Sequence, residues 1–233
     1  MGSIKENLAA VNARKDAAAK KAGRDGGEVL LCAVTKTRTP EEINEAIRAG
    51  VTDIGENKVQ EIMDKFDKTE PVRWHLIGHL QTNKVKYIID KVVLIHSVDS
   101  LHLAREIDKR AAQHGKTMDI LIQVNSAQEE SKFGISVDET GDMIRAILEE
   151  CPNVRIRGLM CIAPFEDNPE EAGKYFAMVR DLYEEFGKIK HERLDFRYLS
   201  MGMSNDFEVA IAEGSNLIRV GTAIFGPRDY SKQ

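Results

Sequence analysis

The feature that most constrains what this chain can fold into is a unit that recurs along it, a short apolar run followed by a stretch of helical periodicity. Runs with strand character fall at 28–34, 53–55, 73–77, 93–96, 119–124, 156–159, 196–199 and 217–220. The first is apolar on both faces, the pattern of a parallel strand buried on both sides. Helical patterns such as 100–109 and 170–183 lie between the runs, so the expected alternation is β then α throughout. Thr39-Pro40-Glu41-Glu42 supplies a helix N-cap with proline at the first helical position, and Gly50 closes that helix. Ahead of the first strand, Ser3 and Glu6 have capping-box spacing, and Ile4, Leu8 and Val11 recur at helical intervals until Gly23. This predicts a leading helix over about 3–22.

Of the 233 residues, roughly 205 remain for eight units once the leading helix is removed, about 26 each, the compact end of a (β/α)8 barrel. The expected fold class is α/β, a single (β/α)8 (TIM) barrel over about 28–228 within one domain spanning 1–233. An open doubly wound sheet is the competing architecture. Against it, Thr35-Lys36-Thr37-Arg38 follows the first strand where that fold carries a glycine-rich dinucleotide fingerprint.

Charge and motifs narrow the function classes. The net charge of −5 gives no basic field for a polyanion, so nucleic acid is not an expected partner. Apolar stretches such as 92–95 are far shorter than the ~20 residues of a membrane span, and the first residues lack an apolar signal core. No membrane partner is expected, and the cytoplasm is the expected location. Cys32, Cys151 and Cys161 are widely spaced without a C-x-x-C pair, so reduced thiols are expected. The six histidines show neither H-x-E nor H-E-x-x-H spacing, and no G-x-S-x-G elbow or P-loop occurs. No metal site is expected.

Barrel enzymes build their sites at the C-terminal ends of strands, with phosphates often at the loops after strands seven and eight. At the end of the first strand, Lys36 shares the parity of Leu30, Cys32 and Val34 and is placed to point inward. A partly desolvated lysine has a lowered pKa and a nucleophilic amine suited to Schiff-base formation; the alternative is a loop lysine in water. After the seventh strand, Ser200-Met201-Gly202-Met203-Ser204 offers donors to an anion, unless Ser204 is an ordinary N-cap. Gly221 and Thr222 follow the eighth strand, and Arg219 shares the parity of Gly221. Its alternative is a structural salt bridge. Asn57 and His79 stand at other strand ends as ligand-facing or capping groups. Met160, Met201 and Met203 suit either a flat ligand or core filling. Lys132 adds a cation after the fifth strand, by default in a solvated loop. An amine and an anion site at one barrel mouth suit a phosphorylated aldehyde.

Six segments carry a resemblance: Ala33-Val-Thr-Lys36-Thr, Gly55-Glu-Asn-Lys-Val-Gln60-Glu, Trp74-His-Leu-Ile-Gly-His79-Leu-Gln-Thr-Asn-Lys84, Gly158-Leu-Met-Cys-Ile-Ala-Pro164, Leu199-Ser-Met-Gly-Met-Ser204 and Arg219-Val-Gly-Thr-Ala-Ile-Phe-Gly226. Running from about 29 to 228, they resemble the pyridoxal phosphate homeostasis protein family, also called the proline synthase co-transcribed family. Thr35 departs from the serine more usual there.

The resemblance implies a barrel like the N-terminal domain of alanine racemase (PLP fold type III), with pyridoxal 5′-phosphate (PLP) held as a covalent aldimine on Lys36. It implies that Ser200, Ser204, Gly221 and Thr222 hold the phosphate, that Arg219 faces the pyridine nitrogen, and that Asn57 and His79 lie near the ring. An arginine there favours the unprotonated ring and weakens it as an electron sink. The second racemase base is a tyrosine from a C-terminal domain, which a chain ending at Gln233 is expected to lack. The expected function is PLP (vitamin B6) and amino-acid homeostasis by a monomer without turnover of its own, with PLP-dependent apo-enzymes as acceptors. No catalytic residue is assigned. The rival readings are a racemase-like PLP enzyme and a class I Schiff-base aldolase.

Overall fold

The computed structural model describes residues 2–127 and 133–227. Among them, strands form at all eight apolar runs: β1 Leu30–Val34, β2 Asp53–Glu56, β3 Arg73–Leu76, β4 Leu94–Val98, β5 Met118–Gln123, β6 Val154–Met160, β7 Leu194–Ser200 and β8 Leu217–Val220. Neighbours pair in parallel and in sequence order, and β8 returns to β1 through Cys32↔Arg219 to close a barrel. The fold class is the expected (β/α)8 barrel. Around it lie α1 Ile4–Lys21, α2 Pro40–Arg48, α3 Val59–Lys65, α4 Leu101–Gln113, α5 Thr140–Glu150, α6 Gly173–Phe186, α7 Phe207–Ala212 and α8 Thr222–Phe225.

Local chemistry sets the helix starts. Ser3 and Thr39 each accept the backbone N–H three residues on, and Glu6 and Glu42 reciprocate. One connection departs from the expected alternation. Between β3 and β4 the chain makes a 3-10 segment, Thr82–Tyr87, instead of an α-helix. Val85, Ile88 and Ile89 still bury at helical spacing, but they are β-branched, which lowers helix propensity in so short a piece.

Strand alternation separates two cores. Cys32, Val34, Ile77, Leu94, Leu121, Met160 and Leu217 pack together inside the barrel, while outward residues such as Ile54, Ile95, Leu159 and Ile218 pack under the helices. α8 has only four residues, too few to cover the outer face of β8. The leading helix takes that place. Asn7 Nδ2 donates to the Ile224 carbonyl at 2.9 Å, and Arg14 pairs with Glu208 at 2.7 Å while lying over the Phe207 ring. Thus α1 braces the two elements that follow β7 and β8. Among the described residues, no helix is long and apolar enough to cross a membrane.

Candidate functional site

Lys36 follows β1 by two residues and keeps the inward parity of Cys32 and Val34. The backbone on either side of it is held from α3 and β2. The Thr35 hydroxyl donates to Glu56 Oε1 at 2.8 Å, the Thr35 carbonyl accepts Lys65 Nζ at 3.0 Å, and the Thr37 amide donates to Glu61 Oε2 at 2.7 Å. Lys65 Nζ joins the two carboxylates, 2.7 Å from each. Thr37 sits at φ 64°, a left-handed conformation that costs a residue with a Cβ about 1–2 kcal/mol. Burial raises the Glu56 pKa, and the Lys65 ammonium opposes that shift.

The opposite wall comes from the ends of β7 and β8. Gly202 turns the chain at φ 88°, where a Cβ would stand 2.6 Å from Ala210 Cβ and 2.8 Å from Phe207 Cα. Its carbonyl accepts the Arg219 amide at 3.0 Å. Asp206, not Ser204, precedes α7, and its carboxylate accepts the Met203 amide at 2.6 Å. Ser204 is therefore released from capping, and its hydroxyl accepts the Ala223 amide at 3.4 Å, tying the β7 loop to the β8 loop. Gly221 lets the β8 loop approach β1, since a Cβ there would lie 3.2 Å from Val34 Cβ and from its carbonyl oxygen. Arg38 reaches across from the Lys36 turn to the Pro227 carbonyl at 3.0 Å.

These walls enclose a cavity of about 510 Å³ at the C-terminal mouth, with Ile162 and Phe165 from the loop after β6 on its rim. Phe165 is 79% exposed. Arg219 reaches the cavity from the barrel interior, buried, donating from Nη1 to Ser200 Oγ at 2.6 Å and from Nη2 to the Cys161 carbonyl at 2.8 Å. Burial lowers its pKa while Cys161, Cys32 and Asp206 oppose the shift; the guanidinium keeps its charge at neutral pH.

Five of the eight residues singled out from sequence line this cavity: Lys36, Ser204, Arg219, Gly221 and Thr222. Ser200 is fully buried one layer below, its hydroxyl engaged by Arg219 and His96. Asn57 packs its backbone carbonyl against Gly78, leaving no room there for a Cβ. His79 stacks on Phe133 with ring centroids 3.9 Å apart and pairs with Asp99 at 3.4 Å. Neither Asn57 nor His79 is on the cavity wall. Of the methionines, Met203 lines the cavity, whereas Met160 fills the barrel interior and Met201 the outer core. Lys132 lies outside the described residues. Sequence reasoning missed Glu56, Glu61 and Lys65, although the Glu61–Lys65 spacing of four was a visible ion-pair signal. Among the described residues, no group of three His, Cys, Asp or Glu side chains is placed to hold a metal ion.

Comparison with known proteins fits this geometry. The family model "Alanine racemase, N-terminal domain" matches residues 7–229. The pyridoxal phosphate homeostasis protein of Aquifex aeolicus is 44% identical over 227 residues, covering 97% of this chain and 98% of the relative. The chain belongs to the pyridoxal phosphate homeostasis protein family. Within its structural neighbourhood, PipY of Synechococcus elongatus PCC7942, solved with PLP bound, superimposes with a TM-score of 0.82 at 33% identity, covering 96% of this chain and 100% of that one. Alanine racemase of Corynebacterium glutamicum shares the fold alone, at a TM-score of 0.72 and 16% identity, with 94% of this chain matching 62% of the racemase.

Proposed function

We propose that this protein holds PLP in the mouth cavity, covalently through Lys36, and acts in PLP (vitamin B6) and amino-acid homeostasis. The observation that carries this reading is the convergence on one cavity of Lys36 from β1, Ser204 from the β7 loop, Gly221 and Thr222 from the β8 loop, and Arg219 from the barrel interior. The donor set fits the group. Hydroxyls and the close approach permitted by Gly221 suit a phosphate, and a lysine amine suits an aldehyde, with which it condenses by losing water. Bound PLP supplies an electrophilic aldehyde and an electron-withdrawing ring. Arg219, cationic, would leave that ring nitrogen unprotonated and so favour holding the cofactor over carbanion chemistry. A monomer in the cytoplasm handing PLP to apo-enzymes completes the reading; PipY with PLP bound supports its central part.

The test is an absorption spectrum with and without PLP, followed by borohydride reduction and peptide mapping. The pyridoxyl label is expected on Lys36. A label on another lysine overturns the assignment, and steady-state conversion of an amino acid that Lys36→Ala abolishes would establish an enzyme instead.

A further inference from the structure

The interior of a (β/α)8 barrel is ordinarily filled by branched apolar side chains. Here a line of polar side chains crosses it. From the cavity, Arg219 Nη1 reaches Ser200 Oγ at 2.6 Å, Ser200 Oγ lies 3.0 Å from His96 Nδ1, His96 Nε2 lies 2.9 Å from His75 Nδ1, and His75 Nε2 lies 2.8 Å from Asp53 Oδ1. All five residues are buried, none more than 3% exposed. Asp53 begins β2 at the opposite mouth, where Arg73 binds both of its oxygens and Thr52 donates to one. Thr52 and Arg73 line a second cavity there, of about 390 Å³.

With His75 neutral, the two ends fix the direction of every bond between them. Arg219 can only donate, so Ser200 Oγ accepts from it; the Asp53 carboxylate only accepts, so His75 donates from Nε2. A neutral His75 then accepts at Nδ1, and His96 must donate from Nε2. His96 accepts in turn at Nδ1, from the Ser200 hydroxyl. Burial, with the Arg219 cation adding to it, holds the His96 pKa well below the usual histidine value, consistent with a single ring proton. Each link in the line pairs one donor with one acceptor, with the cation at the donor end and the anion at the acceptor end. If Arg219 turned away, the Ser200 oxygen would lose its charged donor, and the polarisation of the line through His96 and His75 would weaken.

We propose that Ser200, His96 and His75 are positioning residues for the cofactor site, a relay that anchors the Arg219 guanidinium to the Asp53 carboxylate at the far mouth of the barrel. The proposal rests on the PLP reading above and goes beyond it, because His75, His96 and Asp53 lie away from the PLP cavity.

The experiment compares PLP-loaded wild type with His96→Phe and His96→Gln by absorption spectroscopy and PLP titration. His96→Phe fills the space with an apolar ring and cuts the relay. It is expected to shift the absorption band of bound PLP and to weaken binding about tenfold, the scale of one buried hydrogen bond. His96→Gln, whose amide keeps a donor and an acceptor, is expected to return the band toward its wild-type position. A histidine with a merely structural role would lower stability in His96→Phe without moving the band, and that result overturns the proposal. Nitrogen-15 NMR of the ligand-free protein provides a separate arm, which also decides the matter if His96→Phe does not fold. His96 is expected to carry its proton on Nε2, and Arg219→Met to change the ring shifts of both His96 and His75. A proton on His96 Nδ1, or an unchanged His75, overturns the relay. A wild type that develops no PLP band defeats the PLP reading instead, and the NMR arm still judges the relay.

Discussion

The backbone amide of Thr37 donates to Glu61 Oε2 at 2.7 Å from a residue held at φ 64°. Strain next to a reactive side chain persists only where the surroundings over-determine it. Glu61 is one of the groups that do so here, and Lys65 fixes Glu61 in turn. Glu61→Ala removes a charged acceptor from a half-buried amide and is expected to lower unfolding free energy by about 1–3 kcal/mol, with a parallel loss of PLP affinity. Glu61→Gln, which keeps an acceptor oxygen, is expected to lose less. Urea unfolding and PLP titration of the two variants check this; equal losses in both would show that charge at residue 61, not the bond to Thr37, holds the turn.

On the proposed placement of the phosphate, Ser204→Ala and Thr222→Ala are each expected to weaken PLP by about 1–3 kcal/mol through loss of a charge-assisted bond. The fold should survive, since neither side chain belongs to a packed core. Unchanged affinity in both variants, measured by titration, would remove the phosphate from these loops.

Gly202 and Gly23 separate two penalties. Both have positive φ, 88° and 73°, but a Cβ meets Ala210 and Phe207 at residue 202 and nothing within 4 Å at residue 23. Gly23→Ala is expected to cost about 1–2 kcal/mol, from the backbone conformation alone. Gly202→Ala adds overpacking and should cost about 2–4 kcal/mol in urea unfolding. It should also disturb Arg219, whose amide bonds the Gly202 carbonyl.

Asp53 makes stability depend on pH in a defined direction. Burial alone raises its pKa, but hydrogen bonds from His75, Arg73 and Thr52 outweigh burial and bring it from 3.8 to about 2. A carboxylate depressed in the folded state stabilises the fold above its unfolded pKa and loses that contribution as pH falls through the folded value. The stability difference between wild type and Asp53→Asn should therefore shrink by about 2 kcal/mol as pH drops from about 5 to about 2. A difference that stays constant over this window would show that the ionised form gains nothing from its three partners.

The barrel was legible because each strand announced itself by an apolar run, and Lys36 was legible because inward parity carries two residues past β1. What escaped notice has physical causes. β6 and β7 begin two residues earlier than their apolar runs, because Arg155 and Asp195 are charged and find Asp119 and Arg157 only once strands are paired. The alternative reading of Ser204 as a helix cap could be set aside only in three dimensions, where Asp206 takes the place before α7. The line from His75 to Ser200 joins groups 21 and 104 residues apart, a neighbourhood that exists only after the barrel closes.

The seat that α1 occupies has a consequence for the order of events as the chain is made. Asn7 bonds a carbonyl 217 residues later, and Arg14 bonds Glu208 across 194 residues. A helix that precedes the barrel thus waits for the elements after β7 and β8 to find its partners, and contacts of such long sequence separation form slowly. Until β8 and α8 emerge, the apolar face bearing Leu8 and Val11 has no final home. Folding of the barrel should therefore include a single late step in which barrel closure, α1 docking and completion of the C-terminal mouth happen together.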